Sequence, residues 1–270
     1  MWKPKNVFIK EIFKSHNLLT VQGISKSYRT SFQDSICVFQ NLNITVNQNE
    51  NGALLGPSGC VKTTLLKLIA GFEMPDTGEI YLEKQSVTGP GANRGVVFQT
   101  PVLFPWLTVQ ENIAYGLNRR HISKKDQHAA VQEYLSLVHL NGFENYYPNE
   151  LSGGMQQRAA LARTLILHPQ LLLMDEPFSA LDPVLRFQMQ QLVLSIWEKL
   201  KQTIIFVTHD IEEAMILADR IYIFGKCPRG ILEERKVPSF TITSPFSSSL
   251  DSPEFIRTKK EIRNILFSCS

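Results

Sequence analysis

Long apolar runs are missing from this chain of 270 residues. Uninterrupted apolar runs such as Leu171–Met174 and Ile204–Val207 are strand-length, far below the roughly 20 residues that span a bilayer, so the chain is not expected to be a pore. Charges interrupt the N-terminal stretch MWKPKNVFIKEIFK, and without a continuous apolar region no secretory signal is expected. Cysteine is sparse and unpatterned: Cys37, Cys60, Cys227 and Cys269 show no C-x-x-C spacing, which argues against a zinc site, gives no disulfide framework and suits a reducing cytoplasm. Net charge is only +3, with Lys and Arg distributed rather than blocked, too little for a nucleic-acid stripe. No internal repeat is evident. What the chain does have is 43% hydrophobic content, enough at this length for one large domain or two closely packed subdomains.

The stretch GALLGPSGCVKTTLLKLIAGF, Gly52 to Phe72, reads as a short apolar strand, a glycine loop and an amphipathic helix. In the pattern G-x-x-x-x-G-K-[ST], glycine lets backbone N–H groups converge on phosphate oxygens, Lys reaches the β- and γ-phosphates, and a hydroxyl holds Mg²⁺. Gly56, Gly59, Lys62 and Thr63 fit. The alternative is a Gly-rich turn from strand to helix. A helix is predicted over Lys62–Ala70, stopping at Gly71, and its N-terminus favours an anion. Val61 stands where the pattern has its last glycine, and a β-branched side chain resists the angles glycine permits. Strain of about 1–3 kcal/mol is expected there. At 1.4 kcal/mol per tenfold, nucleotide binding would weaken roughly ten- to a hundredfold.

Residues 18–28 and 42–46 alternate apolar and polar positions and read as strands of a small antiparallel layer. Tyr28 closes the first, either as a sheet-edge residue or as a face for a stacked purine. Strands are predicted at Glu79–Glu83 and Gly95–Phe98, the latter ending in Gln99. From about 101 to 167 the pattern turns helical; Ser152 is an N-cap candidate, and Gly153 and Gly154 leave that helix start bare, as an ordinary capped helix or a second anion site. The run Leu171–Pro177 reads as a buried strand ending in two carboxylates, where open α/β sheets bind ligands. Asp175 suits Mg²⁺ and Glu176 suits an attacking water, although a solvated turn explains the pair equally simply. Strand Thr203–Val207 leads to His209, with Asp210, Glu212 and Glu213 at a helix start where negative charge is favoured. Beyond Val237 the chain is Ser- and Pro-rich, and Pro253–Phe267 carries Phe255, Ile262, Ile265 and Leu266 at helical spacing, as a docking helix would.

In order, GPSGCVKTT, VVFQ, LSGGMQQR, LLLMDEP, SALD and VTHD resemble the motifs of the ATP-binding-cassette ATPases, and LSGGM separates these from other P-loop NTPases. The longer matches GPGANRGVVFQTPVLFPWLTVQENIAYGL and MDEPFSALDPVLR are similar to ATPase subunits of importers for nitrate, sulfonates, taurine, bicarbonate or thiamine-pyrimidine precursors. The resemblance implies an α/β P-loop NTPase core with a mixed central sheet, an antiparallel β subdomain and an α-helical subdomain. It divides the chain into an ATPase domain, 18–236, with its helical part at about 101–167, and a C-terminal segment, 237–270.

The implied activity is ATP hydrolysis driving uptake of a small solute. The implied assembly is a head-to-tail homodimer, peripheral on the cytoplasmic face of the inner membrane, bound to a transmembrane permease, with a solute-binding protein outside and no nucleic acid. Residue by residue, the resemblance implies that Tyr28 stacks on adenine. Gly56, Pro57, Ser58, Gly59, Cys60, Val61, Lys62, Thr63 and Thr64 form the phosphate loop, while Thr63, Gln99 and Asp175 serve Mg²⁺. Glu176 is the implied general base and His209 the γ-phosphate switch, with Gln99 sensing metal and water. Ser152, Gly153 and Gly154 would cap the nucleotide of the opposite copy, and Asp182 would couple the two sites. The cluster Phe104, Pro105, Trp106 and Leu107 resembles the family's permease groove, with core packing the alternative for Trp106. Three departures stand out: Val61, Asn49-Glu50 where Gly-Glu is usual, and Asn51 and Gly52, expected to loosen the strand before the loop. A catalytically impaired subunit, acting as a structural or regulatory nucleotide-binding partner, is the alternative that Val61 suggests.

Overall fold

The computed structural model describes residues 17–29, 35–57, 61–119, 122–225, 230–238 and 250–268. In chain order the strands are β1 (Asn17–Arg29), β2 (Ser35–Asn47), β3 (Asn51–Leu55), β4 (Thr77–Leu82), β5 (Gln85–Ser86), β6 (Arg94–Val97), β7 (Leu171–Asp175), β8 (Thr203–Thr208), β9 (Arg220–Phe224) and β10 (Ile231–Lys236). The helices are α1 (Lys62–Ala70), α2 (Val109–Ala114), α3 (Lys124–Leu137), α4 (Gly153–Leu165), α5 (Pro183–Leu200), α6 (Ile211–Leu217) and α7 (Pro253–Ser268).

Strand composition sorts these into two sheets. Strands β3, β8 and β9 are buried along their whole length, as parallel strands covered on both faces must be. They form a six-stranded sheet in the order β10-β9-β3-β8-β7-β6, parallel except for β10 against β9. The charged strand β10 closes one edge, a composition that discourages further pairing. The antiparallel sheet has the order β2-β1-β4-β5. Because side chains alternate along a strand, β8 sends Ile205 and Val207 into one core with α1 and the antiparallel sheet, and Ile204 and Phe206 into another with α2–α6.

Several expectations shift. The strand expected at 42–46 runs from Ser35 to Asn47, pairing with β1 through register shifts that hide its alternation. Asn51 and Gly52 do not loosen β3: they pair with Ile204 and Ile205 of β8, and Gly52 also pairs with Arg220 of β9. Asn51 N–H donates to Asp219 Oδ2 at 2.9 Å, which clamps the start of the strand. Asn49 adopts φ 61°, a left-handed conformation that Asn tolerates better than most residues, so it substitutes for glycine at little cost. Glu50 then accepts Arg220 Nε at 2.5 Å. Helix α5 and strands β9 and β10 were outside the sequence expectation. Helix α5 starts at Asp182, whose Oδ1 accepts the N–H groups of Val184 and Leu185, with Pro183 in the first turn, where its missing N–H costs nothing. Helix α7 buries Phe255 and Ile262 in the second core.

Candidate active site

The carboxyl ends of β3, β6, β7 and β8 converge at one edge of the large sheet, where α/β folds place ligands. The chain leaves β3 at Gly56, where an added Cβ would lie 3.0 Å from the Phe224 carbonyl oxygen, so only glycine passes without displacing β9. Lys62 opens α1 and is 2% exposed. Its ammonium donates to the carbonyls of Gly56 at 2.9 Å and Pro57 at 2.8 Å, the compensation a buried charge requires. Ser58, Gly59 and Cys60 lie outside the described residues. Helix α1 ends at Gly71 with φ 79°, the left-handed cap glycine supplies most easily.

Val61 does not take the left-handed conformation that glycine alone adopts freely: its φ is −48° and ψ 13°, a negative φ outside the regular helical region. Its side chain packs against the core shared by α1 and the antiparallel sheet, a contact glycine could not make.

Around the loop, the sequence-predicted side chains meet. Thr63 Oγ1 donates to Asp175 Oδ1 at 2.9 Å. Desolvation pushes the Asp175 carboxyl up, while the Thr63 hydrogen bond pulls it back. Glu176 follows at φ 43°, a left-handed conformation costing a non-glycine residue about 1–3 kcal/mol. It is held by the Glu176 N–H bond to Val207 O at 3.1 Å, which fixes the carboxylate beyond the strand end. His209 Nδ1 lies 3.4 Å from Glu176 Oε2. Gln99 Nε2 donates to Ser179 Oγ at 3.1 Å, and Ser179 Oγ donates to Glu176 O at 3.0 Å. Ser179, in the SALD motif, had no role from sequence. An alcohol, one carboxylate and an amide suit a hard cation that draws its remaining ligands from phosphate and water, so these residues fit Mg²⁺.

Tyr28 stands at the edge of the antiparallel sheet, 39% exposed. Its hydroxyl donates to Glu73 and also meets Thr64, so the ring is fixed beside the start of α1. Burial and Glu73 both raise its pKa. Tyr28 is thus a partly exposed sheet-edge ring, with the Lys26 ammonium 5.4 Å from its centroid.

The signature residues are not part of this cluster. Ser152 caps α4, accepting Met155 N–H at 3.3 Å, and Ser152 and Gly153 are exposed. Gln157, missed in the sequence, is buried on the same helix and donates to Phe98 O at 3.2 Å, tying α4 to the turn that carries Gln99. A buried glutamine inside an apolar helix face was its one signal. Asp182 is spent capping α5.

A cleft of about 520 Å³ opens between β6 and the helical region, with Arg94, Val102, Phe104, Tyr115 and Arg163 in its lining. Trp106 is 70% exposed, its ring 5.6 Å from that of Phe104, which lines the cleft; the exposure removes core packing as its explanation. Arg163 lies over the Phe104 ring at 5.2 Å. Phe72 and Phe98 stack separately, with ring centroids 6.2 Å apart.

The ABC transporter family profile matches residues 39–179. The taurine import ATP-binding protein TauB of Pelagibacter ubique is 41% identical over 93% of this chain and 95% of its own. The aliphatic sulfonates import ATP-binding protein SsuB of Bacillus cereus is 43% identical over 89% and 93%. Among solved structures, the dimeric post-hydrolysis state of the ATP-binding cassette MJ0796, bound to ADP and Pi, superposes with a TM-score of 0.72 at 30% identity, over 82% of this chain and 100% of that one. With the loop lysine, the paired carboxylates and the histidine assembled as described, the chain belongs to the ABC transporter family, as a nucleotide-binding subunit that hydrolyses ATP to drive transport.

Proposed function

We propose that this chain is the ATP-hydrolysing subunit of an importer for a small anionic or zwitterionic solute of the taurine, sulfonate or nitrate type. Residues 18–236 form its ATPase domain, with the helical subdomain at about 101–167, and 237–270 a C-terminal segment. It works as a head-to-tail homodimer, peripheral on the cytoplasmic face of the inner membrane, bound to a transmembrane permease that a solute-binding protein supplies from outside. Among the described residues no helix is long and apolar enough to cross a membrane, in keeping with a separate permease.

The observation that carries the reading is the convergence of Lys62, Thr63, Asp175, Glu176 and His209 on one strand-end cluster. Lys62 and the α1 N-terminus bind the phosphates of ATP, and Tyr28 stacks on adenine. Thr63 and Asp175, with Gln99, hold Mg²⁺, which neutralises charge on the transferring phosphoryl group. Glu176 orients the attacking water and accepts its proton; His209, next to it, steadies the γ-phosphate side. Ser152, Gly153 and Gly154 of the second copy close over the same nucleotide, with Asp182 at the junction between copies. The aromatic cleft around Phe104 and Trp106 receives the permease.

Purified chain should hydrolyse ATP only with Mg²⁺, and Glu176→Gln should abolish turnover while keeping nucleotide binding. Host cells carrying Lys62→Ala should lose uptake of labelled taurine, an alkanesulfonate or nitrate, and the solute lost names the substrate. Mg²⁺-independent hydrolysis, or unchanged uptake of all three, would refute the proposal.

A further inference from the structure

Glu213 is a buried carboxylate that the hydrolytic cluster does not use. On α6, it is 6% exposed and accepts the Thr208 hydroxyl at 2.6 Å. Thr208 Oγ1 in turn accepts Asp210 N–H at 3.0 Å, so this one hydroxyl fixes the turn that carries His209. From α5, Gln190 Nε2 reaches Glu213 Oε1 at 3.5 Å. Arg186 Nε lies 3.9 Å from the same oxygen, an ion-pair distance too long for a hydrogen bond. That Nε is buried and without a hydrogen-bond partner among the described residues. Arg186 meanwhile donates through Nη2 to Leu181 O at 3.3 Å, and its own N–H bonds Asp182 O at 2.8 Å. A path therefore runs from the SALD turn through Arg186, Glu213 and Thr208 to His209, loose at one link, the 3.9 Å contact of Arg186 with Glu213.

We propose that Glu213 is a positioning residue: closure of its link to Arg186, when the second copy engages the SALD turn, tightens the Thr208–His209 turn into its hydrolytic geometry. A buried, unsatisfied guanidinium nitrogen is costly, so a small shift of α5 toward α6 is favoured once the turn is engaged. Of the charged groups around Glu213, Asp210 opposes its charge, whereas Arg186 and His209 favour it. The link transmits dimer engagement to the γ-phosphate side without touching the nucleotide.

The proposal rests on Glu176 and His209 being the hydrolytic pair, and Glu176→Gln separates the two: retained turnover in that variant would refute the pair itself. The test is a double-mutant cycle on the full chain with Arg186→Gln and Glu213→Gln, the latter still able to accept the Thr208 hydroxyl. Each single change should lower kcat about tenfold and leave KM for ATP within about twofold, the mark of an interaction absent from substrate binding. The double variant should be no more than about twofold slower than the slower single, as coupled residues behave, and Arg186→Lys should recover part of the rate. Multiplied losses of about a hundredfold would mean independent action and overturn the link. Should Glu213→Gln fail to fold, Arg186→Gln decides alone, since its side chain is already a third exposed: an unchanged kcat there overturns the proposal.

Discussion

Helices α1 and α4 both have N-termini that suit an anion, yet they are built in opposite ways. At α1 the functional groups are satisfied within the chain: Lys62 is buried on two carbonyls, and Thr63 is bonded to Asp175. At α4, Ser152 and Gly153 face solvent, and a Cβ added to Gly153 would meet nothing within 4 Å. The first end is tightly packed for a ligand; the second places no packing demand on its glycine. An exposed glycine with open space around it suits a surface approached from outside, as the proposed head-to-tail pairing of two unlike half-sites has it.

The largest expected break falls on the α1 side. Lys62→Ala removes the phosphate ligand and leaves two carbonyls unpaired, so turnover should fall by about a hundred- to a thousandfold; steady-state hydrolysis checks this, and a loss under threefold would take the site away from the loop. Gly153→Asp sharpens the contrast. An acid in the first turn suits the helix dipole, so stability should change by less than about 0.5 kcal/mol, the usual range for surface substitutions. Turnover should nevertheless drop strongly while fluorescent-nucleotide binding to the single chain is kept. A parallel loss of melting temperature and activity would instead mark Gly153 as structural.

Trp106→Ala should leave thermal stability within about 0.5 kcal/mol and weaken capture of the permease; a large loss of Tm in the isolated chain would contradict its exposure. Val61→Gly should shift ATP affinity by less than about threefold, because at φ −48° Val61 does not hold a conformation reserved for glycine. A tenfold gain measured by calorimetry would restore the strained-loop idea. The smallest effect concerns pH. Burial holds the Glu213 carboxyl above its ordinary range. As pH rises through the window just above that range, the unfolded chain releases a proton the native protein keeps, and native stability falls. Relative to Glu213→Gln, wild type should therefore lose stability upward through that window and differ by a constant below it; denaturant melts across pH read this, and the reverse slope would show the carboxylate is ionised in the core.

The ordered motifs made the fold readable, because each ties a strand end to a helix start: Lys62, Asp175 and His209 all sit where their strands suggested. What escaped depended on backbone angles and long-range pairing. No rule of residue type could show that Val61 keeps a negative φ, or that Asn49 takes glycine's place through its tolerance of positive φ. Strand β9 reads as an apolar run without alternation, since both its faces are covered, and helix α5 hides behind a proline that breaks helices elsewhere but starts this one. Gln157 and Glu213 were invisible as links, because their partners lie 59 and 5 residues away on other elements.

The most direct measurement is the mass in solution of Glu176→Gln with and without Mg·ATP, by size exclusion with light scattering. Two unlike half-sites that complete each other predict a monomer without nucleotide and a stable dimer with it, and the same variant carrying Gly153→Asp should stay monomeric. A Glu176→Gln chain that binds ATP yet remains monomeric at high protein concentration would contradict the account.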